Sequence, residues 1–413
     1  MTGIKFRQFN DPGLLRSINP KRLREFLLGF TDHLDAHGFA VPSNDEFSDV
    51  QVAQLIAILN SASRSAPPEF LEAFFHANEL NNDQGMESLL LAASKHGVTL
   101  PGDEWSAADL AMFLWIEHPE IVRRANCERI VHRFQSFQYY QNRLVEVPDF
   151  SHPTAAVLKQ IQSSLDCFNR DRHRGGGSDV WMYDFGDDVA FLLRHGRPIV
   201  RDEVMHNDRP RPDVRRSVGY DLVVYNVKTG ELRVRAESIR ERRFYCQLFG
   251  THLFDDPGFF PHAEMFDLEP INDKGEDIQA VVEGLGIEQV SLIEIRESLL
   301  GENTLTTTYK ANEVFAALEE HHKRLSPNAR LLHARFRFWF TDGQENTVTI
   351  YAGNILRSTR QNGLDIIHQW MLHHGIKTRT NETLPITPST PLADHLANPK
   401  PSSAAPVMAS RTG

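Results

Sequence analysis

Residues 220–237 read YDLVVYNVKTGELRVRAE, and this stretch decides what kind of sheet the chain can build. Two short, β-branched and aromatic runs flank Lys228-Thr229-Gly230, a tight-turn signal in which Gly230 supplies the positive-φ position. Leu222 and Val224 point to one face, and Val223 and Tyr225 to the other, because strand side chains alternate with period two. A turn this short joins antiparallel strands, since parallel neighbours need a longer crossover.

The same signals extend outward. Upstream, VWMYDF and DVAFLLRHG are near-alternating runs joined through FGDDVAF, which reads as a second hairpin turn. Downstream, SIRERRFYCQLFGTHLF carries helical spacing and the loop DDPGFFPH follows. Strand patterns return at IEQVSLIEIRES, LLHARFRFWF and NTVTIYAG, with a hairpin-like FTDGQENTVTI between the last two. In ARFRFWF, alternation places Phe336, Phe338 and Phe340 on a core face, with Arg335, Arg337 and Trp339 on the other. The segments ANEVFAALEEHHKRL and GLDIIHQWMLHHG are expected as helices among these strands.

The first 170 residues read as helical. VQVAQLIAILNSA, PEFLEAFFHANEL, GMESLLLAASKHG and AADLAMFLWIEHPEIV repeat apolar residues at three- and four-residue steps. Pro67-Pro68 is suited to a helix start, Ser106 to an N-cap, and Gly97 to a left-handed helix end. A further helix, TAAVLKQIQSSLDCFNRD, runs into HRGGGS, where three glycines end regular structure and the period changes. The tail from Leu384 is rich in Pro, Ser, Thr and Ala and is expected to be disordered. The expected fold class is α+β. A helical domain over 1–174 precedes a mainly antiparallel domain with interspersed helices over 179–380, and a loose tail covers 384–413.

The chain has 413 residues, 41% of them apolar, which is enough for a substantial core and suggests two to three domains. No run reaches the ~20 apolar residues that cross a bilayer, and the opening MTGIKFRQFNDPG lacks a secretory pattern. A soluble, cytoplasmic protein is expected, with no membrane association. Cys127, Cys167 and Cys246 lie far apart, so reduced thiols are expected rather than a disulfide framework or a zinc knuckle. No cofactor is expected. The Walker phosphate loop, the nucleophile elbow, the dinucleotide fingerprint and HExxH are all absent. Adjacent pairs such as His321-His322 and His373-His374 cannot present two ligands on one helix face, so no metal site is expected.

The formal charge of −11 is uneven: between Arg194 and Arg243, thirteen Lys and Arg face eight Asp and Glu. A basic middle on an acidic body suits a phosphate-bearing partner. The expected binding residues are Arg215, Arg216, Arg233, Arg235, Arg240, Arg242 and Arg243, with nucleic acid the partner expected for them. Pairing of these arginines with Glu231, Glu237 and Glu241 is the competing expectation. The function expected is non-enzymatic binding or adaptor activity. The alternatives are a protein–protein scaffold working through the helical domain, and an enzyme.

Two resemblances bear on the enzyme alternative. FLLRHG at 191–196 resembles the signature of the histidine phosphatase superfamily, in which Arg-His-Gly ends the first strand of a parallel sheet. That resemblance implies His195 as phosphorylated nucleophile and Arg194 as phosphate ligand. Pro198, Pro210 and Pro212 follow instead of a helix, and the FGDDVAF turn implies an antiparallel context. Residues 211–237 also resemble the metal-binding hairpin of restriction-type nucleases, which implies Asp213 or Asp221 as a first magnesium ligand. Arg233-Val234-Arg235 stands where that motif needs Glu-x-Lys, and a guanidinium cannot bind the metal.

Overall fold

The computed structural model describes residues 12–60, 66–102, 104–144, 146–206, 209–261, 264–299, 303–361 and 363–378. Two compact units emerge: residues up to Arg133 with Val204–Arg211, and Phe134–Glu203 with the chain from Pro212 onward. The expected loose tail, 384–413, lies outside the described residues. Among the described residues, no helix is long and apolar enough to cross a membrane.

The first unit is helical, with α1 (Pro12–Ser17), α2 (Pro20–Leu28), α3 (Thr31–Asp35), α4 (Asp49–Asn60), α5 (Pro68–Glu79), α6 (Asp83–Lys95), α7 (Ala107–Glu117) and α8 (Pro119–His132). Pro68 opens α5, where a missing N–H leaves no bond unmade, and Gly97 adopts positive φ just beyond α6. Ser106 caps α7 by accepting from the Asp109 N–H at 3.0 Å. Helix α7 is buried along nearly its whole length, which explains a sequence (AADLAMFLW) apolar on every side. Asp109 is buried yet satisfied, accepting from the Asn19 backbone N–H at 2.7 Å and pairing with Arg22. Phe74 meets Phe26 and Phe70 edge-on in the core, with centroids 5.5 and 5.3 Å away.

The second unit carries β1 (Ser136–Gln141), α9 (Ala155–Arg170), β2 (Asp179–Phe185), β3 (Asp188–His206) and β4 (Arg209–Asn226) apart from their Val204–Arg211 ends, β5 (Glu231–Arg235) and α10 (Ile239–Phe254). Then come α11 (Glu269–Lys274), a short 3-10 turn (Gly275–Gln279), β6 (Ile287–Leu299), β7 (Leu305–Lys310), α12 (Val314–Glu320), β8 (Arg330–Phe340), β9 (Glu345–Tyr351), β10 (Ile355–Ser358) and α13 (Leu364–His374). The strands form one ten-stranded sheet in the order β2-β3-β4-β5-β1-β10-β9-β8-β6-β7. The antiparallel α+β reading holds. The 220–237 hairpin pairs Tyr225 with Leu232 and Val223 with Val234, and Gly230 turns at φ 68°. A Cβ on Gly230 would lie 2.2 Å from the Asn142 amide nitrogen, so the position needs glycine for space as well as for backbone.

One local expectation is corrected. FQSFQYYQ falls in the stretch read as helical, yet Ser136–Gln141 is a central strand between β5 and β10, and α9 packs on the sheet. Alternation is invisible in this strand because both faces are covered: residues 137–140 are all buried. Its one buried amide, Gln138, donates to Asn354 at 2.9 Å. The change from helical unit to sheet unit therefore comes at Arg133–Phe134.

Helices α9 and α10 cover the β2-to-β5 half of the sheet, burying Ile161, Leu165, Phe191, Val223, Tyr245 and Phe249 in one cluster. On the far half, Trp370 of α13 sits edge-on to Phe336 and Phe338, with centroids 5.2 and 5.1 Å away. The predicted inward face of ARFRFWF is therefore the core face.

Candidate phosphate-binding surface

The strand carrying FLLRHG does not end there. Strand β3 runs on through Pro198 to His206, and with β4 it forms a two-stranded ribbon beyond the helix-covered part of the sheet. On this ribbon Ile199 is 58% exposed, Val214 66% and Val218 56%. Nothing sequence-local predicts such length. Pro198, Pro210 and Pro212 are exposed, and each strand of a two-stranded ribbon has an open edge, where a missing N–H costs little.

At the base of the ribbon, where α10 crosses, His195, Asp221, Tyr245 and Glu241 are all buried. His195 Nε2 lies 2.9 Å from Asp221 Oδ2, and Nδ1 lies 3.0 Å from the Gly196 carbonyl oxygen. Tyr245 donates its hydroxyl to the same Asp221 oxygen at 2.7 Å. Both ring nitrogens thus face acceptors, an arrangement that only the imidazolium satisfies in full. Burial opposes that charge, but the hydrogen bond and charge of Asp221, the Gly196 carbonyl and Glu241 outweigh it and raise the His195 pKa. Burial beside Asp221 pushes the Tyr245 phenol well up. Glu241 pairs with Arg174 and closes a capping box with Ser238, accepting from the Ser238 N–H at 2.7 Å. Burial opposes the Glu241 charge as well, and the Ser238 bonds with the Arg174 guanidinium overcome it to lower the carboxyl pKa.

This environment bears on both enzyme resemblances. A nucleophilic imidazole needs a lone pair aimed at phosphorus, and each His195 nitrogen is already committed to an oxygen. Arg194 pairs with Asp179 on the neighbouring strand. Asp221 is taken up by His195 and Tyr245, and among the described residues no three His, Cys, Asp or Glu side chains gather in a way that could hold a metal ion.

The seven arginines singled out by sequence separate into three places. Arg233 of β5 turns inward and pairs with Asp188, and the neighbouring Tyr139 and Asp188 raise its pKa against burial. Arg235 lies over the Phe134 ring, 5.7 Å from its centroid. On the first turns of α10, Arg242 donates to the Ala236 carbonyl at 2.9 Å, while Arg240 and Arg243 are exposed. On the ribbon, exposed Arg215 meets Asp202 at 3.0 Å and Asp213 at 4.0 Å, and exposed Arg216 donates to the His173 carbonyl at 2.8 Å. The competing expectation of pairing within the segment fails for two carboxylates: Glu231 joins Lys377 at 2.6 Å, and Glu241 joins Arg174.

Arg216 meets, and Arg240 is electrostatically coupled to, the run RDRHRGGG at 170–177, which the sequence reads as a helix end followed by the glycine break HRGGGS. Phe168 is sandwiched between the Phe244 ring, 3.7 Å away, and the Arg172 guanidinium, 3.3 Å away, which pins the end of α9 against α10. Burial together with Arg240 and Arg174 lowers the Arg172 pKa, the mark of like charges held close. The available signal was three arginines at alternate positions before a glycine triplet. No protein-family model matches the chain, and no curated protein matches it.

Proposed function

We propose that this chain is a non-enzymatic binding protein, an adaptor that holds a phosphate-bearing partner, nucleic acid, against an arginine-lined surface. The observation that carries the proposal is the exposed arginines of the β3–β4 ribbon, Arg201 together with Arg215 beside Asp202 and Arg216 held on the His173 carbonyl, in a chain that is acidic overall. A two-stranded ribbon fits the major groove of a duplex, and guanidiniums on it would contact phosphates from both strands of the ribbon. Arg240 and Arg243 add exposed charge at the start of α10. Arg233, Arg235 and Arg242, engaged with Asp188, Phe134 and Ala236, belong to the scaffold of this surface.

The test is fluorescence anisotropy with labelled duplex DNA and RNA across a salt series. With about four phosphates neutralised, affinity falls on the order of 100-fold between 50 and 200 mM salt. Arg216→Gln lowers the log–log salt slope by about one. Affinity indifferent to salt, or no binding to either polymer at 50 mM salt, overturns the proposal.

A further inference from the structure

We infer that the glycine loop 175–177 and the arginines packed on it form a discrete site for a single phosphate group. The inference rests on the phosphate-partner reading, deepening it to the place where one phosphate of that partner is gripped.

The loop carries no side chains, and the arginines use that space. A Cβ on Gly175 would sit 2.4 Å from an Arg216 guanidinium nitrogen, and one on Gly176 would sit 3.0 Å from Arg170 Nε and Nη2. Two guanidiniums, one from β4 and one from the end of α9, therefore lie directly on adjacent residues of the loop. Among the described residues, no carbonyl or side chain accepts from the backbone N–H groups of Gly175, Gly176 or Gly177. Gly175 and Gly177 have positive φ, at 83° and 90°. Successive free amides in such a loop form a concavity that takes an anion.

The surrounding charge points the same way. Arg172 and Arg174 lead into the loop, and the Arg172 guanidinium, which stacks on Phe168 and donates to its carbonyl at 3.0 Å, also feels the charge of Arg240. The carboxylates nearby do not cancel this set. Asp166 lies 3.8 Å from Arg170 and also accepts the Ser178 N–H at 2.8 Å. Glu241 is committed to Arg174 and Ser238, and Asp171 is exposed to water. The guanidiniums outnumber the carboxylates, and crowded like charges beside free amides are relieved by an anion with several acceptor oxygens. A phosphate group supplies that geometry, and arginine meets it with paired N–H donors. The sequence lacks the lysine of a nucleotide-binding loop, and here arginines from two other segments stand in its place.

Isothermal titration of the full chain with inorganic phosphate at low ionic strength tests the site. Saturable binding is expected, weakened about tenfold by Arg216→Gln and by Arg170→Gln. Gly176→Ala is expected to weaken it several-fold, because its Cβ displaces the Arg170 guanidinium while φ stays permissive. A circular dichroism melt identifies any variant that fails to fold, and Arg216→Lys, which keeps charge but loses the fork, is expected to retain intermediate affinity. Absence of saturable phosphate binding by the wild type, or binding that both glutamine variants leave within twofold, overturns the inference. If duplex DNA or RNA still binds with a steep salt slope in that case, the loop site falls alone. If phosphate binds as described while no nucleic acid does, the nucleic-acid reading falls and the loop site stands.

Discussion

Replacing Asp221 by Ala should be among the most damaging single changes in the sheet unit. Asp221 is 4% exposed, and one of its oxygens accepts both from His195 Nε2 at 2.9 Å and from the Tyr245 hydroxyl at 2.7 Å. Removing it strands a buried phenol O–H, at about 1–3 kcal/mol, and a buried imidazolium whose counterion is gone. Breaking a buried ion pair by removing one partner costs about 3–5 kcal/mol. We expect a total near that range, because His195 escapes part of the penalty by releasing its proton. For a unit of this size, the loss lowers the melting temperature by roughly 6–20 °C. Urea denaturation of the full chain, followed by tryptophan fluorescence and by circular dichroism, measures it. The pairing argument also predicts that Asp221→Leu combined with His195→Leu costs less than Asp221→Ala alone, since replacing both partners leaves no unmatched charge. A loss below about 1 kcal/mol for Asp221→Ala, or a double variant as costly as the two single changes added together, would refute the idea that the pair is mutually compensated.

Two further outcomes follow from the same geometry. The folded-state pKa of His195 is raised above its ordinary value of 6.5, so its protonation stabilises the fold fully below that pH, and the contribution is lost as pH rises through the folded pKa. The stability gap between wild type and His195→Gln should therefore shrink above neutrality, and a gap that widens with pH would contradict the assignment. Gly230→Val should destabilise the hairpin by about 2–3 kcal/mol, since φ of 68° strains a β-branched residue and its Cβ would meet Asn142. Hydrogen exchange of the Val223 and Val234 amides reports it, and unchanged protection there counts against the register.

Much of the architecture is legible in residue order because it depends on local rules. Turn chemistry at Lys228-Thr229-Gly230 forces an antiparallel pair, and helical spacing with Pro68 and Ser106 at the starts marks α5 and α7. Alternation in ARFRFWF chooses which side faces Trp370. Each of these signals lies within a few residues of what it specifies. The strand at Ser136–Gln141 escaped because a strand buried on both faces has no alternation to read.

The candidate surface belongs to the other category. Charge counting found a basic middle third, but charge carries no direction, and Arg233 turned toward Asp188 while Arg216 lay down on Gly175. The glycines of HRGGGS read only as the end of regular structure, because the arginine that lies on them comes from β4, some forty positions later. His195 likewise carries only a short resemblance in the sequence, and Asp221, which it meets, and Tyr245, which shares that carboxylate oxygen, come from segments 26 or more positions away. Local propensity and hydrophobic period determined most of the helices and strands, the Ser136–Gln141 strand and the length of β3 and β4 excepted. Which charges meet, and which stay open to a partner, was decided only by packing, because that depends on distances between segments that no local pattern encodes.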